Sequence, residues 1–140
     1  MEQMTAKACR KELQKIRETI GTVTEEPAVF FRIPGGEYNN EVLRTIYACG
    51  SYPVAWSVDS MDWKEYEAGE LVRQLLQSCT IRDGEILRFH GEGENTGEMV
   101  KLLHPRLKEE GYEAVTVSQM VYKDRYRMTT DGRQIPEKSK

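Results

Sequence analysis

Four stretches with apolar residues at helical spacing alternate along the chain with four short apolar runs, and this alternation predicts an α/β protein. Cys9, Leu13, Ile16 and Ile20 recur at intervals of four, three and four, lining one side of a helix from Thr5 to Ile20. Thr5 is its expected N-cap and Gly21 its expected C-cap, while Lys7, Arg10, Lys11, Lys15 and Arg17 fall mostly toward solvent. Ala28 to Arg32 reads as a short strand that stops at the turn Pro34-Gly35-Gly36. Asn39 or Asn40 then caps a helix carrying Val42, Leu43, Ile46 and Tyr47, which closes at Gly50. Pro53 to Val58 reads as a buried strand, because Val54, Ala55, Trp56 and Val58 leave few polar positions for a solvated face.

Leu71, Val72, Leu75, Leu76 and Cys79 predict a helix over Ala68 to Cys79, and Asp83-Gly84 turns the chain into a third strand, Ile86 to Phe89. Asn95-Thr96 caps a further helix with Met99, Val100, Leu103 and Leu107, kinked at Pro105 and stopped at Gly111. Ala114 to Val117 is the predicted fourth strand. Tyr122 to Lys140 is polar, without apolar periodicity, and is expected to be a peripheral wrap or disordered. Strands that alternate with helices are joined by right-handed crossovers, so the expected architecture is a parallel four-stranded sheet flanked by helices.

Composition narrows this picture. At 140 residues the chain is read as one domain with a single core. The balance of 20 basic against 23 acidic residues gives a net charge of -3, which argues against a sequence-independent nucleic-acid partner and offers no polybasic membrane patch. Cys9, Cys49 and Cys79 lie far apart with no C-x-x-C, and are expected as free, buried thiols. No signal-peptide-like or membrane-spanning run occurs, so the chain as written is expected to be soluble and cytoplasmic.

Candidate chemistry collects at the carboxyl ends of the predicted strands, where parallel α/β folds bind ligands. The first strand delivers Arg32, the second Asp59, Asp62 and Trp63, and the third His90. Each has an ordinary structural reading by itself: an ion-pair partner, a turn cap, a core indole, a histidine at a sheet end. Their convergence on one sheet end is the ingredient list for acid-base chemistry. His104, inside a helix, carries only the structural reading.

Three of these segments resemble the polysaccharide deacetylases of the NodB-homology type, carbohydrate esterase family 4. Phe31-Arg32-Ile33-Pro34-Gly35-Gly36-Glu37-Tyr38-Asn39 is similar to the family's third motif, Asp59-Ser60-Met61-Asp62-Trp63 to the fourth, and Ile86-Leu87-Arg88-Phe89-His90 to the fifth. The likeness spans residues 5–121, leaving 122–140 as the polar tail. It implies a fold that is half of a deformed (β/α) barrel, and hydrolysis of N-acetyl groups on an amino-sugar polymer such as peptidoglycan or chitin. In the intact family zinc or another divalent metal activates water and polarises the acetamide, an aspartate is the base and a histidine the acid. Carried over by residue, His90 would be the acid, Asp62 the carboxylate that orients it and stabilises its imidazolium, and Arg32 the group that positions the base. Pro34, Gly35 and Trp63 would wall the substrate groove. Arg88 would stand at the acetate pocket. Family members are often exported.

Several departures matter. Gly35 stands where the family usually has an aromatic, and Arg88 where a leucine lines the acetate pocket. The family's first motif, with the base and a metal-binding aspartate, has no counterpart, and neither has its histidine pair, since His90 and His104 are the only histidines. No metal is therefore expected to be bound by this chain. Two functions follow as expectations: a deacetylase-like protein inactive alone, whose other half comes from elsewhere, or a non-catalytic carbohydrate-binding or scaffold domain with Trp63, Tyr38 and Tyr52 as stacking surfaces. Half a barrel also leaves open strand edges, which predicts self-association or a flatter open sheet.

Overall fold

Thr5 closes the first helix by accepting a hydrogen bond on its hydroxyl from the Ala8 N–H at 3.3 Å. From there α1 runs Ala6–Thr24 in the computed structural model, which describes residues 5–91, 93–129 and 131–137. The helix passes through Gly21, its predicted end, and stops where Glu25 turns left-handed at φ 59° and its N–H reaches Gly21 O at 3.0 Å. Cys9 and Leu13 are buried, whereas Ile16 and Ile20 are partly open to solvent.

The chain forms two compact units, Met1–Ser57 and Val58–Lys140. In the first, α1 is followed by β1 (Phe30–Arg32), α2 (Asn40–Ala48) and β2 (Tyr52–Val54). Asn39 is the N-cap of α2, its Oδ1 accepting from the Val42 N–H at 2.9 Å. β1 and β2 pair in parallel, with Phe30 opposite Tyr52 and Arg32 opposite Val54. Their core is Cys9, Leu13, Ile33, Val42 and Ile46, each side chain worth roughly 1.5–3 kcal/mol on full burial for the larger aliphatics. A single 3-10 turn, Pro34–Gly36, leaves β1, and both Gly35 and Gly36 adopt positive φ. Glycine is required at Gly36 twice over, because a Cβ there would lie 2.8 Å from the Trp56 ring.

The second unit contains β3 (Val58–Asp59), α3 (Ala68–Ser78), β4 (Leu87–Arg88), α4 (Thr96–Glu109), α5 (Val117–Met120), β5 (Tyr126–Met128) and β6 (Gln134–Pro136). Val58, Ala68, Leu71, Val72, Leu75, Met99 and Leu103 form its core, so α3 and α4 bury facing stripes. β3 pairs with β4 in parallel, Val58 opposite Leu87 and Asp59 opposite Arg88. α4 continues through Pro105 to Glu109. Among the described residues no helix is long and apolar enough to cross a membrane.

The expected α/β class is present, but the four-stranded parallel sheet is not: described strands pair as two parallel couples and one antiparallel couple. The predicted strand Pro53 to Val58 is divided, since β2 ends at Val54 and β3 begins at Val58, each with a different partner. Only Val58 of its apolar set is buried, and Ala55 is exposed. Ala114 to Val117 forms no strand; Gln119 Oε1 accepts from the Thr116 N–H at 2.9 Å and starts α5 there instead. Within the described part of the tail, predicted irregular, β5 pairs antiparallel with β6, Gly132 takes φ 84°, and Arg133 is paired to the buried Glu85 carboxylate at 2.8 Å.

Two glycine substitutions separate these effects. Gly21→Ala, mid-helix with nothing within 4 Å of the new Cβ, should raise stability by about 0.5–1 kcal/mol. Gly36→Ala should lower it by about 1–3 kcal/mol through positive φ and the Trp56 clash. Urea denaturation midpoints of both variants against the parent check the opposite signs.

Candidate functional site

The turn that follows β3 decides which side chains face inward. Asp59 Oδ1 accepts from the Met61 N–H at 3.1 Å, and Met61 takes a left-handed φ of 56°. That reversal buries Ser60 and Asp62 to 2% and 1% exposure and leaves Met61 and Trp63 outside. A charge so deeply buried is unfavourable unless every lone pair is satisfied. Asp62 meets that condition.

Four donors converge on its carboxylate. Ser60 Oγ donates to Oδ1 at 2.8 Å, and His90 Nδ1 reaches the same oxygen at 2.7 Å. The His90 backbone N–H spans both oxygens at 3.1 and 2.9 Å, and the Thr96 hydroxyl donates to Oδ2. Burial opposes ionisation, yet the hydrogen bonds from Thr96, His90 and Ser60 outweigh it and hold the Asp62 carboxyl at a pKa of about 2. An ionised carboxylate only accepts, so His90 Nδ1 carries the proton and Nε2 is the acceptor nitrogen of the neutral ring. The side chain of His90 is 32% exposed, so this pair joins a buried anchor to an accessible imidazole.

Backbone bonds draw Gly93 and Thr96 close to this carboxylate. Gly93 N–H donates to His90 O at 2.9 Å and Thr96 N–H to Gly93 O at 3.1 Å. A Cβ on Gly93 would lie 2.7 Å from Thr96 Oγ1 and 2.9 Å from Asp62 O. Asn95 and Thr96, read from sequence as caps, are used otherwise: Asn95 Nδ2 donates to Tyr66 O at 2.9 Å, and Thr96 serves Asp62. Ser60 and Thr96 were absent from the sequence-derived candidates. The spacing Ser60-x-Asp62 could have suggested the first, but nothing local tied Thr96 to Asp62, 34 residues away.

Of the remaining candidates, Arg88 forms an ion pair with Asp59, its opposite number across the β3–β4 register. Trp63 is 57% exposed, and the Lys64 ammonium stands 5.8 Å from its ring centre. Arg32, Pro34 and Gly35 belong to the first unit, where the exposed Arg32 guanidinium lies 6.0 Å from the Trp56 ring centre. His104 is exposed on α4. Cys9, Cys49 and Cys79 are free thiols; Cys9 is buried and its pKa is raised by desolvation and by neighbouring Cys49. Among the described residues no three His, Cys, Asp or Glu groups cluster as metal ligands, and the donors around Asp62 occupy its lone pairs. The residues present do not fit a zinc site.

No protein-family model matches the sequence. It is 30% identical over 121 residues to the peptidoglycan-N-acetylglucosamine deacetylase PgdA of Listeria monocytogenes, covering 84% of this chain and 25% of that protein. A peptidoglycan-N-acetylglucosamine deacetylase of Bacillus cereus is 32% identical over 102 residues, 69% of this chain and 46% of its own length. Among solved structures, BA3943 of Bacillus anthracis, a CE4 family pseudoenzyme, superposes with a TM-score of 0.78 at 26% identity, over 86% of this chain and 42% of that one. The chain thus spans between a quarter and a half of the length of these relatives.

The depressed Asp62 pKa makes stability pH-dependent with a definite sign. The folded value lies below the unfolded one of 3.8, so the contribution is complete above about pH 4 and is lost as pH falls toward 2. It amounts to about 2 kcal/mol. Asp62→Asn should lower stability at pH 7 and flatten that part of the acid limb, as measured by urea unfolding from pH 2 to 7.

Proposed function

Because the chain carries part of a polysaccharide deacetylase domain of the NodB-homology type, carbohydrate esterase family 4, we propose that it is the acid-bearing portion of a hydrolase for N-acetyl groups on amino-sugar polymers such as peptidoglycan or chitin. The observation that carries this reading is the 2.7 Å bond from His90 Nδ1 to the buried Asp62, with Nε2 on the accessible ring. In the reaction the amide C–N bond breaks and the departing amine nitrogen needs a proton. The His90 imidazolium supplies it from Nε2, while Asp62 keeps the ring oriented and balances its charge.

Arg32 is proposed to position the base, and Pro34, Gly35 and Trp63 to wall the groove. Arg88, drawn to Asp59, presents its aliphatic stem where the family's leucine lines the acetate pocket. In this reading 1–121 is the deacetylase-derived part. In the family a divalent metal would supply activated water; the residues described here do not fit one, and in this reading the metal and the base would be contributed by a complementing deacetylase half. A non-catalytic, carbohydrate-binding role is the second reading, favoured by the likeness to a pseudoenzyme and by the exposure of Trp63 and Tyr38.

The 140-residue chain alone should bind no stoichiometric zinc and release no acetate from acetylated chito-oligosaccharides. Supplied with a segment bearing the missing aspartates and histidine pair, it should release acetate, and His90→Ala should reduce that rate by about 100-fold or more. Undiminished turnover in His90→Ala rejects the acid assignment. Heat on titrating chitin or peptidoglycan fragments into the chain, without turnover in the complemented form, identifies the binding role.

A further inference from the structure

The two oxygens of Asp62 are not served alike. Oδ1 takes both Ser60 Oγ and His90 Nδ1, whereas the Thr96 hydroxyl is the side-chain donor on Oδ2. We propose that Thr96 is a positioning residue for His90: its hydroxyl sets the rotation of the Asp62 carboxylate, and Gly93 is the gap that admits it. This deepens the reading of His90 as the acid and rests on it for its functional meaning, though not for its geometry.

Three observations support the assignment. Thr96 is the first residue of α4, and α4 is held by the buried Met99 and Leu103, so its hydroxyl is fixed against the core. Its single proton has two acceptors in reach, Asp62 Oδ2 and His90 O at 2.9 Å, and the ionised carboxylate is the stronger. Any Cβ at Gly93 would press on Thr96 Oγ1 and on Asp62 Oδ2, at 2.7 and 3.1 Å. Without Thr96, Oδ2 keeps only one arm of the shared His90 N–H bond, and Ser60 and His90 Nδ1 then compete for an oxygen free to turn.

The test is proton NMR of the His90 ring in the full chain at neutral pH, following the Nδ1–H signal and its exchange with water. The parent and Thr96→Ser should show a protected Nδ1–H, whereas Thr96→Val, which keeps the side-chain shape, should exchange about tenfold faster or lose the signal. A folded Thr96→Val with parent-like protection overturns the proposal, as does loss of the signal in Thr96→Ser. Should Thr96→Val fail to fold, Gly93→Ala decides on the same signal: accelerated exchange supports the role and unchanged exchange rejects it. Should that variant also fail to fold, Thr96→Ser decides alone, a protected signal supporting the role. Loss of protection in Thr96→Val with no effect of His90→Ala on acetate release would leave the positioning intact and reject the acid role, so the two failures are distinguishable.

Discussion

The second unit is built on one ionised carboxylate buried at 1% exposure. Isolated in that environment a carboxylate would be costly, and its donors come from separate parts of the chain: the turn after β3, His90 just beyond β4 and the first residue of α4. Satisfying Asp62 therefore fixes the relative positions of three elements. The same requirement sets the chemistry, because an acceptor-only carboxylate dictates which nitrogen of His90 holds a proton. The packing of the unit and the orientation of an accessible imidazole meet in a single side chain.

A second charged pair accounts for a departure in the fifth motif. Arg88 stands where the resemblance expects an apolar residue, and it lies directly opposite Asp59 in the parallel register. Both side chains are about one-fifth exposed, so the pair is partly desolvated and its strength modest. The guanidinium is thereby held by the strand that also leads to Asp62. A change in one motif is matched by an acid in its neighbour.

In the first unit, Trp56 plays a comparable organising part. Its ring packs against Gly36 closely enough to exclude any side chain there, and the Arg32 guanidinium faces the same indole. The segment similar to the third motif is thus shaped by a tryptophan well downstream. The likeness to deacetylases and to a pseudoenzyme of the same family covers most of this chain and less than half of those proteins.

Much of the local structure was legible in sequence. The periodic stripes located α1 to α4, Thr5 and Asn39 were readable as caps, and Asp62 and His90 stood out at the ends of apolar runs. Helices are legible because their periodicity and caps are satisfied within a few residues. Strand limits were less so: Pro53 to Val58 is continuous in hydropathy, but pairing with β1 and with β4 divides it. Gln119 captured Thr116, and Arg133 found Glu85, partners that apolar periodicity does not reveal. The positions of α1 to α4 and the presence of Asp62 and His90 at the ends of apolar runs were determined by sequence alone. Only tertiary structure decided that Ser60 and Thr96 serve Asp62, because a hydroxyl's partner depends on which distant atom the fold brings within about 3 Å.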